Sequence, residues 1–350
     1  MPPCNGQPNH ERRTARHPDL ARRRPTHRHR DRSRYLGFRP RPVGAKIAAT
    51  GDGRFSGSVS AGCVEGAVLE QCAGVIQSGQ PRLLTFGVAD EEAWGVGLAC
   101  GGTIRVYVEP FSAWEPVFAS LVERLEANKP LAIVTALDGP AGKLLVAPDG
   151  QTVGPLDLGS HTAAAVSAAQ EKLNSGRGGT VQLSDGRTVF VEVYPKVARL
   201  IIVGAVHIAV PLIDLARTLG YYTIIVDPRQ AFATRERFPR ADEIVNGWPE
   251  DVLPGMELDD SAHIVVLTHD PKIDDPAMQA SLPSAARYVG ALGSRRTNQQ
   301  RRERLLAAGI SQETLARLHA PIGLPLGGRS PEEIALSILA EIVQVRNKKD

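Results

Sequence analysis

Cysteine is scarce in this chain, where only Cys4, Cys63, Cys72 and Cys100 occur among 350 residues. So few thiols do not make a disulfide framework, and their spacing lacks the close pairs typical of a zinc site. Long apolar runs are also missing, since none approaches the roughly 18–20 residues that a membrane span requires. The N-terminus lacks the apolar segment of a secretory signal. We therefore expect a reduced, cytoplasmic protein outside the membrane.

Lysine is absent from residues 1–41, which contain twelve arginines against three acidic residues. Because the whole chain has 41 basic and 38 acidic side chains, the remainder has 29 and 35 and is mildly acidic. A nucleic-acid role would depend on the basic segment alone, and we expect no nucleic-acid partner. We interpret residues 1–36 as a basic, disordered tail or as the product of a mis-assigned start or shifted reading frame. A basic arm for an anionic partner is the less favoured interpretation.

Residues 37–197 begin with a Gly-rich stretch and mix short predicted strands with helices. Apolar periodicity predicts a helix from Val64 to Ile76 and a second one from Ser112, with Glu115 completing a capping box. Strands are predicted at AKIAAT, TIRVYVEP and LAIVTAL, then a polar connector around GPAGKLLVAPDG and the hairpin TVQLSDGRTVFVEVY. This part is predicted to be a smaller α+β domain.

Residues 198–350 alternate buried strands with helices. The strands are RLIIVG, YYTIIVD, AHIVVLTHD and ARYVGALGS, and the helices include HIAVPLIDLARTLG, TNQQRRERLLAAG and SPEEIALSILAEIVQV. In the last helix Ser330 is the cap, Pro331 opens the first turn and Glu333 completes a capping box. Such alternation predicts an α/β fold with a Rossmann-like, doubly wound parallel sheet.

The first strand-to-helix turn of this sheet lies where related folds bind dinucleotides. It begins at Gly204, and Asp227 ends the next strand about 20 residues later, where an acid binds the ribose of a nucleotide. Val206 occupies the place of the second glycine of the fingerprint, and its branched side chain obstructs the approach of a pyrophosphate. The pattern therefore predicts the fold more firmly than it predicts a dinucleotide ligand.

Other candidate residues lie near the ends of the predicted strands. His207 stands at the start of a helix, where it either hydrogen-bonds the turn or contacts a ligand. His269 follows the strand AHIVVLT, and Gly290 and Gly293 come from ARYVGALGS. Arg295 either pairs with a phosphate or is a solvated residue at a helix start. Because the carboxyl ends of parallel strands meet at one edge of the sheet, we expect Asp227, His269 and Gly290 to converge at that edge, or rim.

A second candidate site lies in the first domain, in the stretch GRFSGSVSAGCVEGAV. Cys63 precedes the apolar face of a predicted helix, whose N-terminal amides favour a thiolate that can act as a nucleophile or metal ligand. The alternative for Cys63 is a small buried residue. The glycines and serines before it form an amide-rich turn that could hold an anion. Cys100 also lies among glycines, so the two thiols are predicted to share a pocket, whereas Cys72 belongs to the core.

Several of these segments, in this order, resemble the xanthine dehydrogenase accessory protein family (XdhC/CoxI). PRPVGAKIAATGDGRFSGSVSAGCVEGAV and GLACGG are similar to its N-terminal signature. IIVGAVHIAVPL, VDPR, LTHD, YVGALGSRR and PIGLPLGGRSPEEIALSILAEI are similar to its C-terminal Rossmann domain. Two departures stand out. The family turn usually reads Gly-Ala-Gly-His, and Val206 replaces its second glycine. An Arg/His-rich tail replaces the helix and strand that precede Pro-Arg-Pro-x-Gly in the family.

The resemblance implies a set of residues that handle a cofactor. Cys63 and Glu65 match the family's Gly-Cys-Val-Glu signature, and Cys100 matches its Cys-Gly-Gly. Cys63 is the candidate metal ligand, the alternatives being a sulfur carrier or a packing residue. The matches in the Rossmann domain are Gly204, His207, Asp227, Arg229, His269 and Gly293, and the predicted rim adds Gly290 and Arg295.

The resemblance also implies a function. The family binds the molybdenum cofactor (molybdopterin, in its mono- or dinucleotide form), helps its sulfuration and delivers it to xanthine dehydrogenase or a related molybdenum hydroxylase. We therefore expect an insertion chaperone rather than an enzyme, a homodimer, with the client hydroxylase and a cysteine desulfurase as candidate partners.

Two other functions are open on the residues alone. One is an NAD(P)-dependent oxidoreductase that uses Asp227 for the ribose. Val206 argues against it, so NAD(P) is not the expected cofactor. The other is a partner-binding scaffold whose nucleotide-like site is vestigial.

Overall fold

In the computed structural model the chain forms two compact units, Met1–Pro195 and Lys196–Asp350. The structure describes the following residues, with the backbone alone at 26–31: 26–31, 43–60, 62, 64–87, 103–138 and 142–348. Cys63, Cys100 and most of the N-terminal tail lie outside these ranges.

The first unit contains an antiparallel sheet covered by one helix. Its strands are β1 (Thr26–Asp31), β2 (Ile47–Ala49), β3 (Phe55–Gly57), β4 (Arg82–Phe86) and β5 (Ile104–Glu109). Their order is β3-β2-β1-β5-β4, and helix α1 (Glu65–Ser78) packs on β5. The helix predicted from Val64 to Ile76 is thus present with nearly the expected bounds.

Strand β1 corrects the prediction of a disordered tail for the six residues Thr26–Asp31. It lies in the middle of the sheet and is antiparallel to both β2 and β5. Backbone N–H and C=O groups make the pairing of strands, so a segment without apolar periodicity can still supply a strand. The rest of residues 1–36 lies outside the described ranges.

Strand β5 supplies part of the core of this sheet. Ile104, Val106 and Val108 are at most 2% exposed and pack against α1. Cys72, which is 3% exposed, lies in the same cluster and is the core residue that its place on the apolar face predicts.

A second antiparallel sheet completes the first unit. Its strands are β6 (Leu131–Ala136), β7 (Lys143–Val146), β8 (Thr152–Val153), β9 (Gly179–Gln182) and β10 (Thr188–Tyr194), in the order β8-β7-β6-β10-β9. Helices α2 (Glu115–Glu126) and α3 (Thr162–Ser175) pack on it. The hairpin β9–β10 turns at the predicted place, where the Leu183 amide donates to the Arg187 carbonyl at 2.8 Å.

The predicted polar connector is wrong, because it contains β7. All four residues of β7 are buried, including Lys143 at 0% exposure. A lysine inside a short apolar run normally marks a surface. Here Lys143 is neutralised by a buried carboxylate, and the local pattern does not show that partner.

Two helices of this unit also differ from expectation. Helix α2 begins at Glu115 after a short 3-10 turn at Phe111–Ala113, so the capping box predicted at Ser112 does not form. Helix α3 escapes prediction because its core-facing residues are alanines such as Ala165 and Ala169, which give little apolar periodicity.

The second unit has the predicted doubly wound architecture. Its strands are β11 (Arg199–Val203), β12 (Tyr222–Val226), β13 (Glu243–Val245), β14 (Ala262–Val266), β15 (Tyr288–Ala291) and β16 (Leu318–His319). All are parallel, in the order β13-β12-β11-β14-β15-β16. The helices are α4 (Ala209–Thr218), α5 (Pro249–Val252), α6 (Pro271–Ser281), α7 (Arg295–Ala307), α8 (Gln312–Leu315) and α9 (Pro331–Asn347).

Apolar clusters lie on both faces of this sheet. Alternate residues of β11 point to opposite faces, with Leu200 and Ile202 in the cluster of α4 and α9 and Ile201 and Val203 in that of α6 and α7. A strand buried on both faces is continuously apolar, as β11 is after Arg199. The capping box at the start of α9 is present as predicted. None of the helices in the described ranges has the length and apolar character to cross a membrane.

Candidate functional site

The carboxyl ends of four parallel strands bring most of the predicted residues of the second unit to one edge of the sheet. We call this edge the rim. It consists of the segments that follow β11, β12, β14 and β15, namely 204–208, 227–229, 267–270 and 292–294. Open α/β sheets bind ligands at this edge.

Asp227 is the most completely bonded residue of the rim. It is 0% exposed, and one carboxylate oxygen accepts from the Arg229 amide and Nε, both at 2.9 Å. The other oxygen accepts from the Ala205 amide and from a guanidinium nitrogen of Arg229, both at 2.7 Å. Burial acts to raise the pKa of Asp227, but these hydrogen bonds outweigh it and hold the pKa below its ordinary value. These four hydrogen bonds occupy the acceptor positions of the carboxylate. Asp227 therefore joins the loops after β11 and β12 and is not available to accept from the hydroxyls of a ribose.

Gly204 and Val206 shape the first loop of the rim. Gly204 has φ +113°, and a Cβ there would lie 2.5 Å from Cγ2 of Thr268. The loops after β11 and β14 therefore meet at a glycine. Val206, at the position of the second glycine of a nucleotide fingerprint, is partly buried and packs against the core cluster that includes α4.

Both candidate histidines are exposed on rim loops. His207 lies in the turn before α4. His269 has φ +69°, a left-handed backbone that is uncommon for a residue with a side chain. It stands just before Asp270, which caps α6 by accepting from the Lys272 amide at 3.0 Å. Exposed imidazoles on these loops are free to meet a ligand.

Arg229 adds a cation at the same edge. Its side chain is 35% exposed and its guanidinium lies 4.5 Å from the Phe232 ring centre. The ion pair with Asp227 holds this guanidinium in place and raises its pKa above the ordinary value.

The glycines of β15 have different roles. Gly290 lies inside the strand, paired with Val265, and not at the rim, where convergence with Asp227 and His269 was predicted. A Cβ at Gly290 would meet the Tyr288 hydroxyl at 2.6 Å, so the absence of a side chain there serves packing. Gly293 does lie on the rim, with φ +148°.

Arg295 begins α7, directly after the rim. Its side chain is exposed, and the preceding residue, Ser294, caps the helix by accepting from the Thr297 amide at 3.1 Å. Whether Arg295 binds phosphate stays a prediction.

In the first unit, the loop before α1 is organised by Glu65. Its carboxylate accepts from the amides of Val59, Ser60 and Gly62 at 2.7–3.0 Å and from the hydroxyls of Ser58 and Ser60. Burial acts to raise the pKa of Glu65, but the hydrogen bonds from the two serines and the Val59 amide outweigh it and lower the pKa to about 2. The amide-rich turn expected to hold an anion thus holds one that the chain itself supplies.

Cys63 and Cys100 lie outside the described residues, so their shared pocket stays a prediction. The neighbours of Cys63 are described. Gly62 has φ +115°, and the Val64 amide donates to the Ser60 hydroxyl at 3.0 Å. Within the described ranges no group of three or more His, Cys, Asp or Glu side chains could hold a metal ion.

The sequence gives no sign of a buried ion pair between the two sheets of the first unit. Lys143 Nζ lies 2.5 and 2.7 Å from the two carboxylate oxygens of Glu109 and 2.8 Å from the Thr135 hydroxyl. Trp114 Nε1 donates to Glu109 at 2.8 Å. Burial raises the pKa of Glu109 and lowers that of Lys143. The pair is enclosed, which makes it a structural link and not a ligand site.

Both parts of the chain match models of known protein families. The model of the XdhC and CoxI family matches residues 36–87, and that of the XdhC Rossmann domain matches residues 200–342. The chain is 27% identical to a probable xanthine dehydrogenase subunit of Bacillus subtilis (88% of this chain, 89% of the relative). It is 28% identical to the molybdenum cofactor insertion chaperone PaoD of Escherichia coli (89% of this chain, 80% of the relative).

A solved structure is similar over almost the whole length. The crystal structure described as a xanthine dehydrogenase from Bacillus halodurans superposes with a TM-score of 0.74 at 26% identity, covering 94% of this chain and 93% of the other. Together with the two family models, this likeness confirms the resemblance drawn from the motifs. The chain belongs to the XdhC and CoxI family.

Proposed function

We propose that this protein binds the molybdenum cofactor as cargo and inserts it into a molybdenum hydroxylase such as xanthine dehydrogenase. The likeness to the insertion chaperone PaoD over 89% of the chain supports this role. The main structural observation in its favour is the ion pair of Asp227 with Arg229. At the position where a nucleotide site has an acid for the ribose, this chain has an acid that binds its own arginine and holds that cation at the rim.

The rim suits an anionic cargo. The cofactor presents a phosphate, a hydrogen-bonding pterin and a metal that prefers sulfur ligands. Arg229 offers a fixed guanidinium, while His207 and His269 offer exposed ring nitrogens. Arg295 lies next to the rim and is exposed as well. Such a set recognises phosphate and pterin through side chains.

The first unit contains the candidate thiol of the proposal. Cys63 would be the thiol that ligates molybdenum or carries sulfur, with Cys100 as its neighbour. Glu65 supports this role by fixing the loop that precedes Cys63 in the chain, where it accepts from the amides of Ser60 and Gly62.

Further parts of the proposal are the sulfuration of the cofactor, with a cysteine desulfurase as sulfur donor, and action as a homodimer in the cytoplasm. The mono- and dinucleotide forms of the pterin are both candidates. An NAD(P)-dependent oxidoreductase is disfavoured, because Val206 fills the place of the pyrophosphate glycine and Asp227 is fully hydrogen-bonded.

The test uses the full chain, loaded under anoxic conditions with cofactor released from a molybdenum enzyme. Bound cofactor is read from pterin fluorescence after oxidation, and transfer is read from the activity of apo xanthine dehydrogenase. We expect about one cofactor per chain and a loss of affinity of about tenfold in Arg229→Met. Arg237→Met is the matched control, since Arg237 also lies against Phe232 but does not contact Asp227.

Two results would overturn the proposal. One is that the wild-type chain neither retains cofactor nor activates the apo-hydroxylase. The other is a saturable fluorescence response to NADH at micromolar concentration in the absence of cofactor binding, which would favour the oxidoreductase.

A further inference from the structure

A buried ion pair lies directly below the rim and is not among the residues that the motifs indicate. Asp274 of α6 and Arg301 of α7 are each 1% exposed, and their side chains meet at 2.7 Å. A carboxylate and a guanidinium removed from water in this way need several well-directed partners. Each has more than one partner, and most of those partners belong to the rim, while the buried Nε of Arg301 has none among the described residues.

On the carboxylate side, the pair contacts the loop after β14. The Thr268 hydroxyl donates to Asp274 and accepts from the Asp270 amide at 3.0 Å. These bonds hold both residues that flank His269. The Thr268 methyl group in turn lies against Gly204, where the loop after β11 passes.

On the guanidinium side, the pair contacts the loop after β15. Arg301 donates to the Leu292 carbonyl at 3.1 Å and to the Asn298 side-chain oxygen. The Asn298 amide nitrogen donates to the Gly293 carbonyl at 3.0 Å. The ion pair therefore contacts two of the four segments that form the rim, and Thr268 extends the connection to a third at Gly204.

We propose that Asp274 and Arg301 are positioning residues that fix the loops carrying His269 and Gly293 relative to one another, and so set the geometry with which the rim receives its cargo. This inference rests on the proposed function. A buried ion pair adds little stability over apolar residues of similar volume, but its hydrogen bonds have direction, which apolar packing lacks. A binding site needs that direction to hold its loops in place.

The double variant Asp274→Leu with Arg301→Met separates positioning from stability. We expect its unfolding midpoint to stay close to that of the wild type, because the pair is replaced as a unit. Hydrogen exchange of the amides at 268–270 and 292–294 should become about tenfold faster, and cofactor affinity should fall about tenfold. The matched control is Asp275→Asn with Arg304→Gln, which removes a more exposed pair between the same two helices and should change neither readout.

Unchanged exchange and unchanged affinity in the folded double variant would overturn the inference. If that variant does not fold, Thr268→Val removes the hydroxyl alone, and unaltered exchange at 268–270 would then overturn it. The exchange measurement needs no cargo. A wild-type chain that binds no cofactor would therefore refute the proposed function, while the exchange rates would still decide whether the pair positions the rim.

Discussion

Replacement of Glu65 by glutamine tests whether one carboxylate holds the loop that leads to Cys63. The carboxylate accepts five hydrogen bonds, three at one oxygen and two at the other. Glutamine keeps one acceptor oxygen but presents an NH2 group to the Gly62 amide, which can only donate, and to the Ser60 hydroxyl, which must rotate in order to accept. We therefore expect the variant to lose the bond with Gly62 and to exchange the charge-assisted bond with the Ser60 hydroxyl for a weaker neutral one.

The size of the effect follows from the pKa of Glu65. A fall from the usual 4.5 to about 2 corresponds to about 3 kcal/mol. Because the side chain is only partly buried and water screens it, we reduce this to about 1.5 kcal/mol. The folded-state pKa is depressed, so the contribution is complete above about pH 4.5 and is lost as the pH falls towards 2.

Urea unfolding of the first unit measures this difference. In a Trp248→Phe background the remaining tryptophans, Trp94 and Trp114, both belong to that unit. We expect Glu65→Gln to lower the free energy of unfolding by about 1.5 kcal/mol at pH 7 and by clearly less at pH 3. Glu70→Gln, on an exposed position of the same helix, is the control for loss of a charge. Equal stability of wild type and Glu65→Gln at pH 7, or a difference that persists undiminished at pH 3, would refute the reasoning.

Three further changes have expected outcomes. Lys143→Met leaves Glu109 buried without its cation and should lower the free energy of unfolding of the first unit by about 3 kcal/mol. Adding Glu109→Gln to this variant should restore most of the lost stability. The tryptophan assay described above measures both. Gly204→Ala places a Cβ 2.5 Å from Thr268 at φ +113° and should destabilise the second unit by about 2 kcal/mol, measured by hydrogen exchange of β11 and β14. Gly66→Ala, at an open position of α1, should stabilise the first unit by about 0.5 kcal/mol, and a loss of stability in urea would contradict this.

The fold of the second unit can be predicted from the sequence because its signals are local. Strand β11 is continuously apolar after Arg199, and the start of α9 shows its cap, proline and capping box within four residues. In the first unit the same approach fails at β7 and α3, where the pattern is broken by a buried lysine in one and by small alanines in the other. The prediction fails at strand β1 for a third reason. Its pairing is made by backbone groups, so its side chains show no pattern that would indicate a strand.

The candidate site, too, could be predicted only in part from the sequence. Motif positions such as Asp227 and His269 stand at strand ends and are visible from topology alone. The bonds of Asp227 with the Ala205 amide and of Asp274 with Arg301 join residues more than 20 positions apart in the chain. Those of Asp227 with Arg229 and of Thr268 with Asp274 are short-range, but they join specific side chains inside loops and at a helix start. No local periodicity carries such contacts, because helix and strand patterns report burial and not partners.

Carboxylates of the chain itself occupy the loop amides that an anionic cargo would otherwise use. Glu65, Asp227, Glu333 and Glu341 each accept from at least one loop amide, and hydrogen bonds hold the pKa of each below its ordinary value. All four are therefore ionised at neutral pH, and a phosphate would have to displace a negative charge to reach those amides. Under the proposed function the charge of the cargo would instead be met by side chains, and Arg229 is held in place by its bonds to Asp227. Salt screens partly exposed side-chain charges, so binding through them should weaken as ionic strength rises.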